Sequence, residues 1–65
     1  MPELAYLGPD RWVGSQLLEH GSVHVLRAGK KNGKYFNVYI YGFASPLRYS
    51  SKKIFEREWI EAKHG

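Results

Sequence analysis

Three tyrosines, Tyr35, Tyr39 and Tyr41, recur at even, strand-like spacing beside a lysine-rich turn that carries Lys30, Lys31 and Lys34. A cationic groove with aromatic rings on which bases stack is the pattern of single-stranded nucleic-acid sites. Arg48, Lys52 and Lys53 add further positive charge nearby in the chain. Lysines on a turn also suit the phosphates of a duplex, with no base reading. The same residues have a second use, because Tyr, Trp and Arg are enriched at the energetic centres of protein interfaces. They also have a plain one: tyrosine favours strands, and its polar tip suits the solvent side of a sheet.

Other chemistries find less in the chain. Metal binding finds little support in His20, His24 and His64, and there is no cysteine to supply a thiolate. Gly29, Gly33 and Lys34 resemble a phosphate-binding loop at a glance. Only three residues separate the two glycines, however, Tyr35 stands where a Ser or Thr is needed, and a strand pattern follows where a helix should begin. Glu56, Glu58 and Glu61 are interleaved with Arg57 and Lys63, as on a solvated face. Serines occur without a sharp nucleophile turn, and a chain this short leaves little room for a substrate cavity of about 300 Å³ or more. A binding module, not an enzyme, with no cofactor, is the expectation.

Charge is concentrated. The whole chain is +4, yet residues 27–53 carry Arg27, Lys30, Lys31, Lys34, Arg48, Lys52 and Lys53 with no acid, a net +7. The flanking stretches, 1–26 and 54–65, are net −2 and −1. Such a field attracts nucleic acid or an acidic protein surface. At 65 residues the chain is one small domain, expected to bury only about 60% of its unfolded surface. No disulfide can help it, so packing must. No apolar run approaches a membrane span, and the start Met1-Pro2-Glu3 lacks the look of a signal peptide. No membrane partner and a cytoplasmic location are therefore expected.

These side chains need strands to hold them. Residues 22–28 and 34–41 are rich in β-branched and aromatic residues and flank Asn32-Gly33, a strong hairpin signal. A two-residue turn there places Lys31 opposite Lys34, Lys30 opposite Tyr35 and Val25 opposite Ile40. Val23, Val25, Phe36, Val38 and Ile40 then share the core face, and the tyrosines join His24, Leu26 and Asn37 on the other. Residues 47–50 suit a third strand. Residues 1–9 read as an N-terminal arm before a core of 10–62, with a first strand through Trp12 and Val13 and an undecided strand or turn over 15–20. In the tail, Phe55, Trp59 and Ala62 fit one helix face, but Ile60 falls off it. Ser50 or Ser51 suits the cap of such a helix, yet a helical turn over 51–55 followed by a short strand over 58–62 is preferred.

The order of these signals resembles that of small SH3-like β-barrels, including short phage and prophage proteins. It runs from a Trp-containing first strand and a Val-x-Val strand, through an Asn-Gly hairpin into Asn-Val-x-Ile-x-Gly, to a Ser-x-x-x-Phe turn and a final Trp-Ile strand. The resemblance covers residues 10–62. It implies a compact module that binds nucleic acid or peptide, and for a phage protein a location in the host cytoplasm.

The expected fold is mostly β, an SH3-like antiparallel barrel with a short C-terminal helical turn or helix; a hairpin sheet packed on a C-terminal helix is the alternative. Trp12, Val13, Val23, Val25, Phe36, Val38, Ile40, Phe55, Trp59 and Ile60 are the expected core. Nucleic-acid binding through Lys30, Lys31, Lys34, Tyr35, Tyr39, Tyr41, Arg48, Lys52 and Lys53 is the expected function. The alternative is a protein-interaction module, such as a phage-encoded modulator of a host protein. It would use the same tyrosine face or an exposed strand edge, which would also allow a homodimer.

Overall fold

A computed structural model describes residues 3–27 and 29–62. Met1 and Pro2 of the expected arm, Ala28 at the end of an expected strand, and Lys63 and His64 lie outside the described residues. The chain forms β1 (Glu3–Tyr6), β2 (Arg11–Val13), β3 (Gln16–Leu18), β4 (Val23–Val25), β5 (Lys30–Asn32), β6 (Tyr35–Val38), β7 (Leu47–Tyr49), α1 (Lys52–Glu58) and β8 (Trp59–Glu61). These strands make three antiparallel sheets, ordered β4-β1-β8, β2-β3 and β5-β6-β7. The fold is mostly β with one short helix, and no closed barrel forms among the described residues.

The expected arm is instead a central strand. β1 pairs with β4 on one side and β8 on the other, and Tyr6 is fully buried. Nothing in its local sequence marks it as a strand; its partners lie about 20 and 55 residues further along the chain and impose the conformation. The tail follows the turn-plus-strand reading, with a helix longer than the expected single turn. Ser51 caps α1, its hydroxyl accepting from the Ile54 amide, and the chain turns extended at Trp59.

The two three-stranded sheets are joined along one bent run of chain. Leu26 bridges Ile40, the Arg27 amide donates to the Tyr39 carbonyl at 2.7 Å, and the Tyr41 amide donates to the Val25 carbonyl at 3.0 Å. Beyond this the pairing changes to Lys30 opposite Asn37. Between these pairs the register therefore shifts by one residue. A one-residue change flips every side chain to the other face. Leu26, not Val25, thus shares the core side with Ile40. Val23 is 47% exposed, and Val25 is only half-buried.

The core is Tyr6, Val13, Leu18, Val38, Ile40, Leu47, Tyr49 and Trp59. Phe36 and Phe55 pack against it half-buried. Trp12 does not belong to it and is 68% exposed. In the β2-β3 hairpin Val13 and Leu18 face inward, so alternation turns Trp12 outward with its register partner Leu17. Ile60, 49% exposed, lies outward for the same reason, because Trp59 takes the inner side of β8 opposite Tyr6.

Buried polar atoms around Trp59 satisfy one another. Its indole N–H donates to the Tyr49 hydroxyl at 2.9 Å, which donates to the Glu58 carboxylate at 2.8 Å. Burial first, and then the bond to Glu58, push the Tyr49 phenol far above its ordinary pKa, so it stays a donor. Tyr49→Phe should leave the buried indole N–H without a partner and cost about 1–3 kcal/mol. Trp59→Ala should cost about 3–5 kcal/mol, whereas Trp12→Ala should change stability by less than about 1 kcal/mol. Urea melts of the three variants check this order, and comparable losses for both tryptophans would contradict it.

Candidate nucleic-acid interface

The hairpin turn sits one residue further along the chain than the sequence suggests. Asn32 pairs with Tyr35 and Lys31 with Phe36, so the two turn residues are Gly33 and Lys34, not Asn32 and Gly33. Gly33 has φ of 63°, and no non-glycine residue among those described has a positive φ. That is the sign pattern of a type II′ turn, with glycine first, rather than the type I′ turn that Asn-Gly favours. Lys30 consequently faces Asn37 rather than Tyr35, and Lys31 faces Phe36 rather than Lys34. The shift is by two residues, so the faces within this hairpin keep their expected sides.

Beyond the core, the tip and the start of α1 leave an open groove of about 770 Å³ between them. It is lined by Lys31, Gly33, Lys34, Tyr35, Phe36, Ser50, Ser51 and Lys52. The groove exceeds what so short a chain can enclose because it is open to solvent between the hairpin tip and the helix start. Three of the eight lining residues are cations and none is an acid. The lysine stems and two rings make its walls apolar, with ammonium groups above them.

Each ring has close neighbours. The Arg48 guanidinium carbon lies 5.0 Å from the Tyr35 ring centroid, and the Lys34 ammonium lies 6.0 Å from it. Arg48 pairs with Asn37 on β6, two residues from Tyr35, which puts both side chains on one face of the sheet. Phe36 occupies the opposite face and packs on Phe55 at 5.2 Å between centroids. A side chain at Gly29 would collide with the Phe36 ring, so glycine lets that ring lie against the backbone.

Not every expected residue is gathered here. Lys31, Lys34, Tyr35 and Lys52 line the groove, and Arg48 joins through Tyr35. Lys30 lies on the sheet face away from Lys31, and the exposed Lys53 lies outside the lining. The tyrosines form no continuous ladder. Tyr35 is 40% exposed at the tip, Tyr39 is half-buried, and Tyr41 is 51% exposed in the turn after Ile40, beneath Arg27 at 5.9 Å. Gly33, Phe36, Ser50 and Ser51 are the lining residues that sequence reasoning gives other roles, as hairpin turn, core, third strand and cap. The buried Asn37, between Lys30 and Arg48 in register, leaves its carbonyl oxygen without a hydrogen-bond partner.

No protein-family model, curated protein or solved structure matches this chain. Among the described residues no cluster of three or more His, Asp or Glu side chains could hold a metal ion. No helix among them is long and apolar enough to cross a membrane.

The groove depends on the turn geometry. Gly33→Val should strain the tip by about 1–2 kcal/mol, since a β-branched residue resists positive φ. Amide hydrogen exchange should then accelerate for residues 31–36 while Tyr6 and Trp59 keep their protection. Unchanged exchange at the tip would contradict the assigned turn.

Proposed function

We propose that this chain is a small nucleic-acid-binding module and that the groove at the hairpin tip is its binding surface. The observation that carries this reading is the lining itself: Lys31, Lys34 and Lys52 around Tyr35 and Phe36, with no carboxylate. The cations lie within the net +7 stretch of the sequence, so the local field favours a polyanion at long range as well as at close approach. Binding alone is assigned, with no catalytic step and no cofactor, in a cytoplasmic setting. Arg48 supports the site by holding Tyr35, and Lys30 and Lys53 extend the positive field on either side. The order of elements favours an opened relative of the SH3-like barrels: a strand, a bent strand, a hairpin, a helical turn and a final Trp-Ile strand. An acidic protein surface is the rival partner for the same cations.

Lysines that neutralise phosphates release counterions, so affinity should fall with salt along a log-log line whose slope counts the neutralised phosphates. Replacing Lys31, Lys34 and Lys52 together with Gln should flatten that slope by roughly 0.7–0.9 for each phosphate that is no longer neutralised. Titration of a labelled oligonucleotide at two salt concentrations measures it. A dissociation constant no tighter than about 0.1 mM near 0.15 M salt, the nonspecific level, would overturn the reading.

A further inference from the structure

We infer that the outer face of β6 is a second binding surface, which takes the sugar-phosphate backbone of a strand leaving the groove; this rests on the nucleic-acid reading above. Val38 and Ile40 are buried, so alternation turns Tyr35, Asn37, Tyr39 and Tyr41 to the other side of the chain. Their partners across the sheet share that side. Lys30 and Arg48 stand opposite Asn37 on either hand, and Arg27, whose amide donates to the Tyr39 carbonyl, comes next along the row. Lys34 closes the row at the turn, beside Tyr35. All four cations are exposed, and residues 27–53 hold no acid. From Tyr35 to Tyr41 the face runs about 20 Å at the rise of a strand. Acids resume only past Val25, where Glu3 pairs with it on the side away from Tyr41.

The tyrosines of this face hold arginines rather than bases. The Arg48 guanidinium lies over Tyr35 at 5.0 Å, and that of Arg27 lies over Tyr41 at 5.9 Å. A guanidinium attracted to a ring keeps N–H donors for the oxygens of a phosphate, and it is placed before the ligand arrives. It also occupies ring surface on which a base would stack. The row of tyrosines is interrupted by the buried Asn37 and the half-buried Tyr39, but the cations continue past both. Such a face reads backbone charge and not base identity. Lys34 and Tyr35 line the groove and also begin this face, so a strand leaving the groove meets it without a break.

The test is fluorescence anisotropy with an oligothymidylate of about twelve nucleotides, within the ~4–16 that one small single-strand-binding fold covers. Affinity is followed over salt concentrations around 0.15 M. Arg27→Gln should lower the log-log salt slope by roughly 0.7, the contribution of one phosphate on a single strand. Arg57→Gln removes the same charge from α1, away from this face, and should leave the slope unchanged. Both side chains are exposed, and circular dichroism melts check that the variants are folded. The fall with Arg27→Gln should be the same on a strand of abasic residues, which keeps the phosphates and lacks the bases. An unchanged slope with Arg27→Gln, an equal fall with Arg57→Gln, or a fall seen only when bases are present overturns the inference. The nucleic-acid reading then stands if replacing Lys31, Lys34 and Lys52 still flattens the slope. Binding of the unaltered protein no tighter than about 0.1 mM near 0.15 M salt overturns both.

Discussion

The hydrogen bond from the Trp59 indole to the Tyr49 hydroxyl joins two sheets that would not hold alone. Trp59 begins β8 beside β1, and Tyr49 ends β7 beside β6, so this bond links β4-β1-β8 to β5-β6-β7 in addition to the backbone bonds between residues 25–27 and 39–41. The strands are only three or four residues long, and no disulfide supplements them. Isolated hairpins of this length are marginal in water. Aromatic packing runs through the same junction: Tyr6 meets Trp59 at 5.1 Å, Tyr49 meets Phe55 at 5.9 Å, and Phe55 meets Phe36 at 5.2 Å between ring centroids. The groove wall is thus the outer end of the series of rings that closes the core.

Charge is divided accordingly. Glu58 serves the junction: its carboxylate accepts from Tyr49, while its backbone carbonyl accepts from the Leu7 amide at 2.6 Å. The lysines of the tip serve no such purpose and stand exposed around the groove. One local rule is broken nearby, an unsatisfied buried oxygen on Asn37. Departures of this kind tend to gather where a protein functions rather than where it is merely stable.

Legibility in the sequence follows the range of the interactions. A hairpin near Asn32 and Gly33, the third strand at Leu47–Tyr49, the Ser51 cap and the short final strand are set by turn residues, capping chemistry and local alternation and are readable; the hairpin's turn residues, register and extent back to residue 22 are not. β1 is not, because its conformation is imposed by β4 and β8. Trp12 reads as core by residue type alone, but Val13 and Arg11 take the inner face of this three-residue strand, and alternation turns Trp12 outward. Val23 and Val25 leave the core side through the one-residue shift of register before Lys30, which no motif announces. Of the site, Lys31, Lys34, Lys52 and Tyr35 are legible by type. Their union with Ser50 and Ser51 is not, since it requires β7 to return beside β6.

The most direct measurement is the map of amide chemical-shift changes when a short oligothymidylate is added to isotope-labelled protein near 0.15 M salt. The changes should fall on Lys31, Gly33, Lys34, Tyr35, Phe36, Ser50, Ser51 and Lys52, with Tyr6 and Trp59 unmoved. Changes centred instead on the exposed Trp12 and Leu17, or on Val23 and Ile60, would contradict a site at the hairpin tip.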